Sequence, residues 1–169
     1  MPEDLLLMDR PAITILVNVC RPESRSELRL ASKDPEVPPL IFSNLLGEDD
    51  DVERMVAGCR VARAIFETKA FGSHYQGPCL PDGEVQTDDE FKSYIRAGTG
   101  PAYHPAGTCK MGRDEMSVVD DRLRLRGMSR LRVVDASIMP GVTSANTNAP
   151  TIMIGEKASD LILEDQKVS

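Results

Sequence analysis

A mixed α+β domain with an antiparallel sheet is the fold class this sequence predicts. Three observations carry the reading. Apolar residues alternate strictly near the start, apolar stripes recur at helical spacing in three later segments, and Gly- and Pro-rich stretches without period lie between and after them.

The alternation comes first. In ITILVNV, Ile13, Ile15, Val17 and Val19 fall on one face, as in a half-buried strand. After a turn at 21–24, Leu28 and Leu30 continue the pattern. DPEVPP, residues 34–39, crowds three prolines into an expected extended loop, because proline removes donors and restricts its neighbours. Val52, Met55, Val56, Cys59 and Ala62 then recur at three and four residues and mark a helix, with Asp49–Asp51 suited to capping it. A shorter helix is expected from Thr87. Thr87 and Glu90 have capping-box spacing, Phe91, Tyr94 and Ile95 supply its buried stripe, and Gly98 is a natural stop. The stretch between the helices, residues 71–86, reads as loop.

Beyond residue 98 the texture changes. Residues 98–112 hold four glycines and two prolines and follow neither period. Strand-like pieces follow at 118–119, 123–125 and in LRVVDAS. Arg122, Arg124 and Arg126 alternate with Leu123 and Leu125, as on the solvated face of a strand. A last helix is expected to begin near Pro150, a residue suited to a first turn, and to run through Ile152, Met153, Ile154, Ala158, Leu161 and Ile162 before a polar tail. The expected organisation is therefore 1–100 as sheet and helices, 101–130 as loop and connecting strands, and 131–169 as a final strand and helix.

Composition narrows the function. The 169 residues are 41% hydrophobic, enough for a folded core, and the net charge of −7 without a basic stripe argues against nucleic-acid binding. No apolar run has the length of a membrane span. The opening MPEDLLLMDRP carries acids where a secretion signal needs bases, which points to the cytoplasm. Cys20, Cys59, Cys79 and Cys109 form no close pair, so no metal-ligand spacing arises and four thiols are expected.

Two polar, glycine-bearing stretches bracket the final third: YHPAGTCKMG at 103–112 and VVDASIMPGVTSANTNAPTIMIGEKASDLI at 133–162. Their order and spacing resemble the C-terminal signature of the glucose-methanol-choline (GMC) oxidoreductases. That signature is an HPxGTxxMG-like loop, then VVDxSxMP, then an NxNAPTxMIxEK helix entry. The upstream PESRSELRLASKDPEVPPLI is similar to a less specific block of the same family, so the resemblance covers nearly the whole chain.

The resemblance implies a flavoprotein that oxidises a primary alcohol by hydride transfer to FAD. His104 matches the active-site histidine, which accepts the hydroxyl proton; imidazole suits that task near neutral pH. Asn148 matches a second active-site position, where an amide can hydrogen-bond the substrate oxygen but cannot act as a base. Asp135 and Ala136 match the segment that passes the FAD, and Asn146 and Thr147 lie where the chain meets the flavin ring. The substrate-binding domain of the family, with a final strand and helix completing its FAD domain, is the implied architecture. If Asn148 caps the last helix, that helix's N-terminus favours negative charge on the flavin.

No G-x-G-x-x-G fingerprint occurs here, so the resemblance implies a partner segment, an N-terminal Rossmann-type half that binds most of the FAD. Without it the chain is expected to be inactive, and its last strand and helix to self-associate. The chain has no Trp and only 4% aromatics, so it offers no evident aromatic cage for a choline-type cation. Two other readings remain: a non-enzymatic binding module, and a cysteine hydrolase pairing Cys109 with His104 or His74.

Overall fold

The computed structural model describes residues 11–81 and 83–168. The acidic start at 1–10, on which the targeting expectation rests, lies outside them. The chain divides into two compact units. The first is the described part of Met1–Val19 with Glu23–Ala102, and the second is Cys20–Pro22 with the described part of Tyr103–Ser169. Apart from residues 101 and 102, the segments expected at 101–130 and 131–169 thus share one unit.

The α+β class holds, with a sheet smaller than expected. In the first unit, β1 (Glu27–Arg29) pairs antiparallel with β2 (Leu40–Phe42), with Leu28 opposite Ile41. The proline-rich link between them is turned, not extended. Val37 N–H donates to the Asp34 carbonyl at 3.2 Å and Glu36 N–H to the Asp34 carboxylate at 3.0 Å. Asp34 therefore nucleates an Asx-type turn that the prolines tolerate. Residues 13–19 do not form the expected strand. Their alternation survives only as a difference in exposure: Ile15, Val17 and Val19 are half-buried while Leu16 is 82% exposed and Ile13 69%. Val17 lies on α1 (Asp49–Phe66), so close that a Cβ at Gly58 would stand 2.5 Å from its Cγ1.

Helix α1 buries Val52 and Val56, as its spacing predicts. Its acidic first turn does not cap it. The cap position is Glu48, without a side-chain cap bond. Asp51, fully buried, caps an incoming chain segment instead of its own helix. It accepts the N–H groups of Glu23 at 3.0 Å and Ser24 at 2.8 Å, the Ser24 hydroxyl at 2.5 Å, and Arg54 at 3.0 Å. The second helix, α2 (Asp88–Gly98), carries the expected capping box: Glu90 N–H donates to Thr87 Oγ1 and Thr87 N–H to the Glu90 carboxylate. Phe91 and Ile95 pack with Leu46, Val52 and Val56 into one core. The Arg63 guanidinium lies 4.8 Å from the Phe91 ring centroid and covers it, a cation–π contact.

The second unit is built differently. Its strand-like pieces form only isolated bridges, Met111 with Val119, Val119 with Leu125, and Arg124 with Arg132. Backbone bonds stitch them nonetheless: Val118 N–H to Lys110 O, Arg126 N–H to Val118 O, Leu125 N–H to Leu131 O, and Val133 N–H to Leu123 O. The arginines are not a simple solvated face. Arg122 is half-buried and donates to the Leu161 carbonyl at 3.0 Å and to Asp165 at 2.6 Å. Arg124 pairs with Asp120, and Arg126 donates to the Gly112 carbonyl. VVDAS is not a strand either, since the Asp135 carboxylate captures the Ser137 N–H at 2.7 Å and winds Ala136–Ile138 into a 3-10 turn.

The last helix, α3 (Asn148–Val168), starts two residues before Pro150 and continues through the polar tail. Of its expected stripe, Ile154, Ala158 and Leu161 are buried, joining Val119, Leu123, Ile138 and Met139 in a second core. Ile152 and Met153 remain more than half exposed. Arg132 also pairs with Asp165, whose carboxyl the two arginines hold below the usual carboxylate range. This network anchors the C-terminal turns of α3. Among the described residues no helix is long and apolar enough to cross a membrane, and Cys59 and Cys109 are free thiols.

Candidate active site

The sequence-predicted site residues all lie in the second unit, on three segments that its core holds in place. The first segment is the loop 103–112. Cys109 N–H donates to the Ser137 carbonyl at 3.0 Å and Met111 N–H to the Ile138 carbonyl at 2.7 Å, which pins the loop along the 3-10 turn. Gly107 makes the tight passage possible. Its φ is +92°, and a Cβ there would stand 3.3 Å from the Met139 carbonyl oxygen. Tyr103, just before the histidine, also sits at positive φ (+59°). The far end of the loop is organised by Asp114. Bonds from Lys110 and Ser117 bring its carboxyl down to about 2.

Gly107→Ala is therefore expected to destabilise this unit by about 1–3 kcal/mol through the left-handed backbone alone, and to shift the loop bearing His104. A thermal melt of the variant checks the first effect. An unchanged melting temperature would show that the loop relaxes freely.

The second segment is the turn Asp135–Ser137, and the third is the junction 142–151 where a loop enters α3. Together with Pro105, Ala106 and Thr108, residues Asp135, Ala136, Ser137 and Thr151 border an open groove of about 320 Å³. Its walls are small side chains at the N-terminal end of a 21-residue helix. Residues 20–22 belong to this unit too, and Arg21 donates to Ser144 Oγ at 3.2 Å.

His104 is half-buried, with Nδ1 2.9 Å from Thr147 Oγ1. Among the described residues its Nε2 has no hydrogen-bond partner. Thr147 is 8% exposed. Asn148 is the first residue of α3 and exposed, as is Asn146, so these two amides flank a buried hydroxyl. Asp135 and Ala136 both reach the groove, but one carboxylate oxygen of Asp135 is committed to its own turn.

The structure therefore brings His104 and Thr147 into direct contact and places Asp135 and Ala136 on the groove. It brings neither Asn side chain into a hydrogen bond with the histidine. Sequence reasoning missed Thr108, Ser137 and Thr151 as groove residues and the bond between His104 and Thr147. The proline three residues after Thr147 was an available signal for that bond. Cys109 makes no bond to His104, whose ring partner is a hydroxyl, so no thiol–imidazole pair forms there.

Residues 22–155 match the family model described as GMC oxidoreductase. The chain belongs to the GMC oxidoreductase family. It is 45% identical over 142 residues to an alcohol dehydrogenase [acceptor] of Pseudomonas putida, covering 84% of this chain and 26% of that protein. It is 41% identical over 153 residues to an oxygen-dependent choline dehydrogenase of Shigella flexneri serotype 5b (strain 8401), covering 90% of this chain and 28% of the relative. Among solved structures, pyridoxine 4-oxidase from Mesorbium loti superposes with a TM-score of 0.79 at 30% identity, covering 83% of this chain and 28% of that one. The chain thus spans about a quarter of the length of the relatives it matches.

Proposed function

We propose that this chain is the C-terminal portion of a flavoprotein that oxidises a primary alcohol, with His104 as the proton acceptor. The observation that carries the reading is a histidine fixed through Nδ1, with no partner at Nε2 among the described residues, on the loop that also borders the groove. The names of the alcohol and choline dehydrogenase relatives support an alcohol as substrate.

The groove fits the edge of a flat, partly anionic ring. Ala106 and Ala136 leave room for close approach, and the first turn of α3 offers N–H groups that have no helical acceptor. Asp135 and Ala136 would hold that edge, with the backbone at Asn146 and Thr147 beside it. FAD, when bound, supplies the hydride acceptor. The chain's own residues do the rest. Nε2 of His104 takes the proton as the substrate O–H bond breaks, and the Asn148 amide donates to the substrate oxygen and orients it. A groove of this size holds part of a dinucleotide at most, so the remaining contacts belong to an N-terminal partner half. We expect this chain alone neither to retain FAD nor to oxidise alcohols.

Anaerobic mixing of the full-length flavoprotein with a panel of primary alcohols, choline included, tests the reading. Bleaching of the flavin absorbance by at least one of them is expected. Retention of the oxidised spectrum with every alcohol, in a protein that binds FAD, would overturn it.

A further inference from the structure

We propose that Thr147 is the positioning residue for His104: its hydroxyl fixes the Nδ1 side of the ring and so leaves Nε2 as the atom that meets the substrate hydroxyl. The inference rests on the assignment of His104 as proton acceptor and adds how the ring is aimed.

Thr147 occupies the cap position of α3, because its carbonyl accepts the Thr151 N–H at 3.0 Å. A threonine there ordinarily turns its hydroxyl back to the N–H two or three residues on. Three residues on is Pro150, which has no N–H. Two residues on is Ala149, whose N–H makes no bond to Thr147 Oγ1. The hydroxyl is thus released from capping, and it is buried, so it needs a partner. His104 Nδ1, at 2.9 Å, is the partner it has.

A hydroxyl suits this place because it both donates and accepts. Proton uptake at Nε2 requires the neutral ring to carry its proton on Nδ1, where Oγ1 accepts it. When the substrate O–H bond breaks, the proton enters the Nε2 lone pair, and the Nδ1–H of the imidazolium still points at the same oxygen. No regrouping of the site is needed between the two protonation states.

The test exploits the two histidines of the chain. Long-range 1H–15N spectra of the histidine-labelled chain report each ring's tautomer, and a His74→Gln variant assigns the signals. For His104 the expected result is a dominant Nδ1–H tautomer. Thr147→Val should collapse its two nitrogen signals toward the solvent average and leave His74 unmoved, and Thr147→Ser should keep the pattern. Thr147→Ala serves as the hydroxyl-free variant if valine does not fold. In the full-length enzyme the hydroxyl-free variant should lose about tenfold in kcat with KM changed less than about twofold, and Thr147→Ser should recover it.

An averaged pattern already in the unsubstituted chain would overturn the proposal. So would spectra indifferent to the hydroxyl, or a serine variant as impaired as valine. Full activity in an enzyme lacking His104 would instead overturn the assignment of the proton acceptor, a separate outcome.

Discussion

Replacing His104 with Ala in the full-length flavoprotein is expected to lower kcat by about 10²–10⁴-fold, the usual contribution of a positioned proton acceptor. The geometry makes the prediction specific. The ring is held on one side by Thr147 at 2.9 Å, its other nitrogen has no partner among the described residues, and its loop is pinned by two backbone bonds to the 3-10 turn. Truncation should leave that scaffold standing, so FAD content and the oxidised spectrum should not change. The loss should fall on the rate at which substrate reduces the flavin, measured by stopped flow. His104→Asn keeps a hydrogen-bonding side chain but no base, and should be nearly as slow. A His104→Ala enzyme reduced at the unsubstituted rate would mean that another group takes the proton.

The second large effect concerns stability. Asp51→Ala should destabilise the first unit by about 3–5 kcal/mol, the scale on which breaking a buried charged cluster falls. The carboxylate is fully buried, and its loss strands two backbone N–H groups and the Ser24 hydroxyl and takes one partner from Arg54, which keeps Asp50. Urea titration of the variant measures the change, and a loss below about 1 kcal/mol would show that water replaces those bonds.

The same residue sets an acid sensitivity. Burial alone would raise the Asp51 pKa, but the Ser24 hydroxyl, the Glu23 and Ser24 N–H groups and Arg54 outweigh it, and the net shift is downward. A group with a depressed folded-state pKa contributes stability that is fully present above its unfolded value, about 3.9, and lost as pH falls through the folded one. Unfolding by acid should therefore be shallower at low pH in Asp51→Asn than in the unsubstituted chain.

How much of this was legible in the residues depends on the range of the interactions involved. Helix α2 was readable in its cap, its stop and two of its three stripe residues, because these signals are local and its capping box closes within three residues; Tyr94 alone of the stripe is exposed. The spacing in α1 showed its buried face, yet the role of Asp51 did not follow from position. A carboxylate at a helix start can serve its own helix, and here it serves a chain segment 27 and 28 residues earlier. Residues 13–19 carry a strand's alternation but form no strand among the described residues, since a ladder needs a second strand in register. In VVDAS the apolar pair suggested extension, and one side-chain bond from Asp135 to Ser137 was enough to turn the backbone.

For the candidate site, the sequence by itself determined which segments bear the family signature, which family that is, and that His104 is the one histidine in it. Those are properties of residue type and spacing, which the chain displays directly. Only the tertiary structure decided that His104 meets Thr147 across 43 residues, that Asn146 and Asn148 stand outside that bond, and that Ala136 and Thr151 share one groove. Such pairings depend on how α3 docks Ile154, Ala158 and Leu161 onto a core assembled from distant loops, and no local pattern encodes the outcome of that packing.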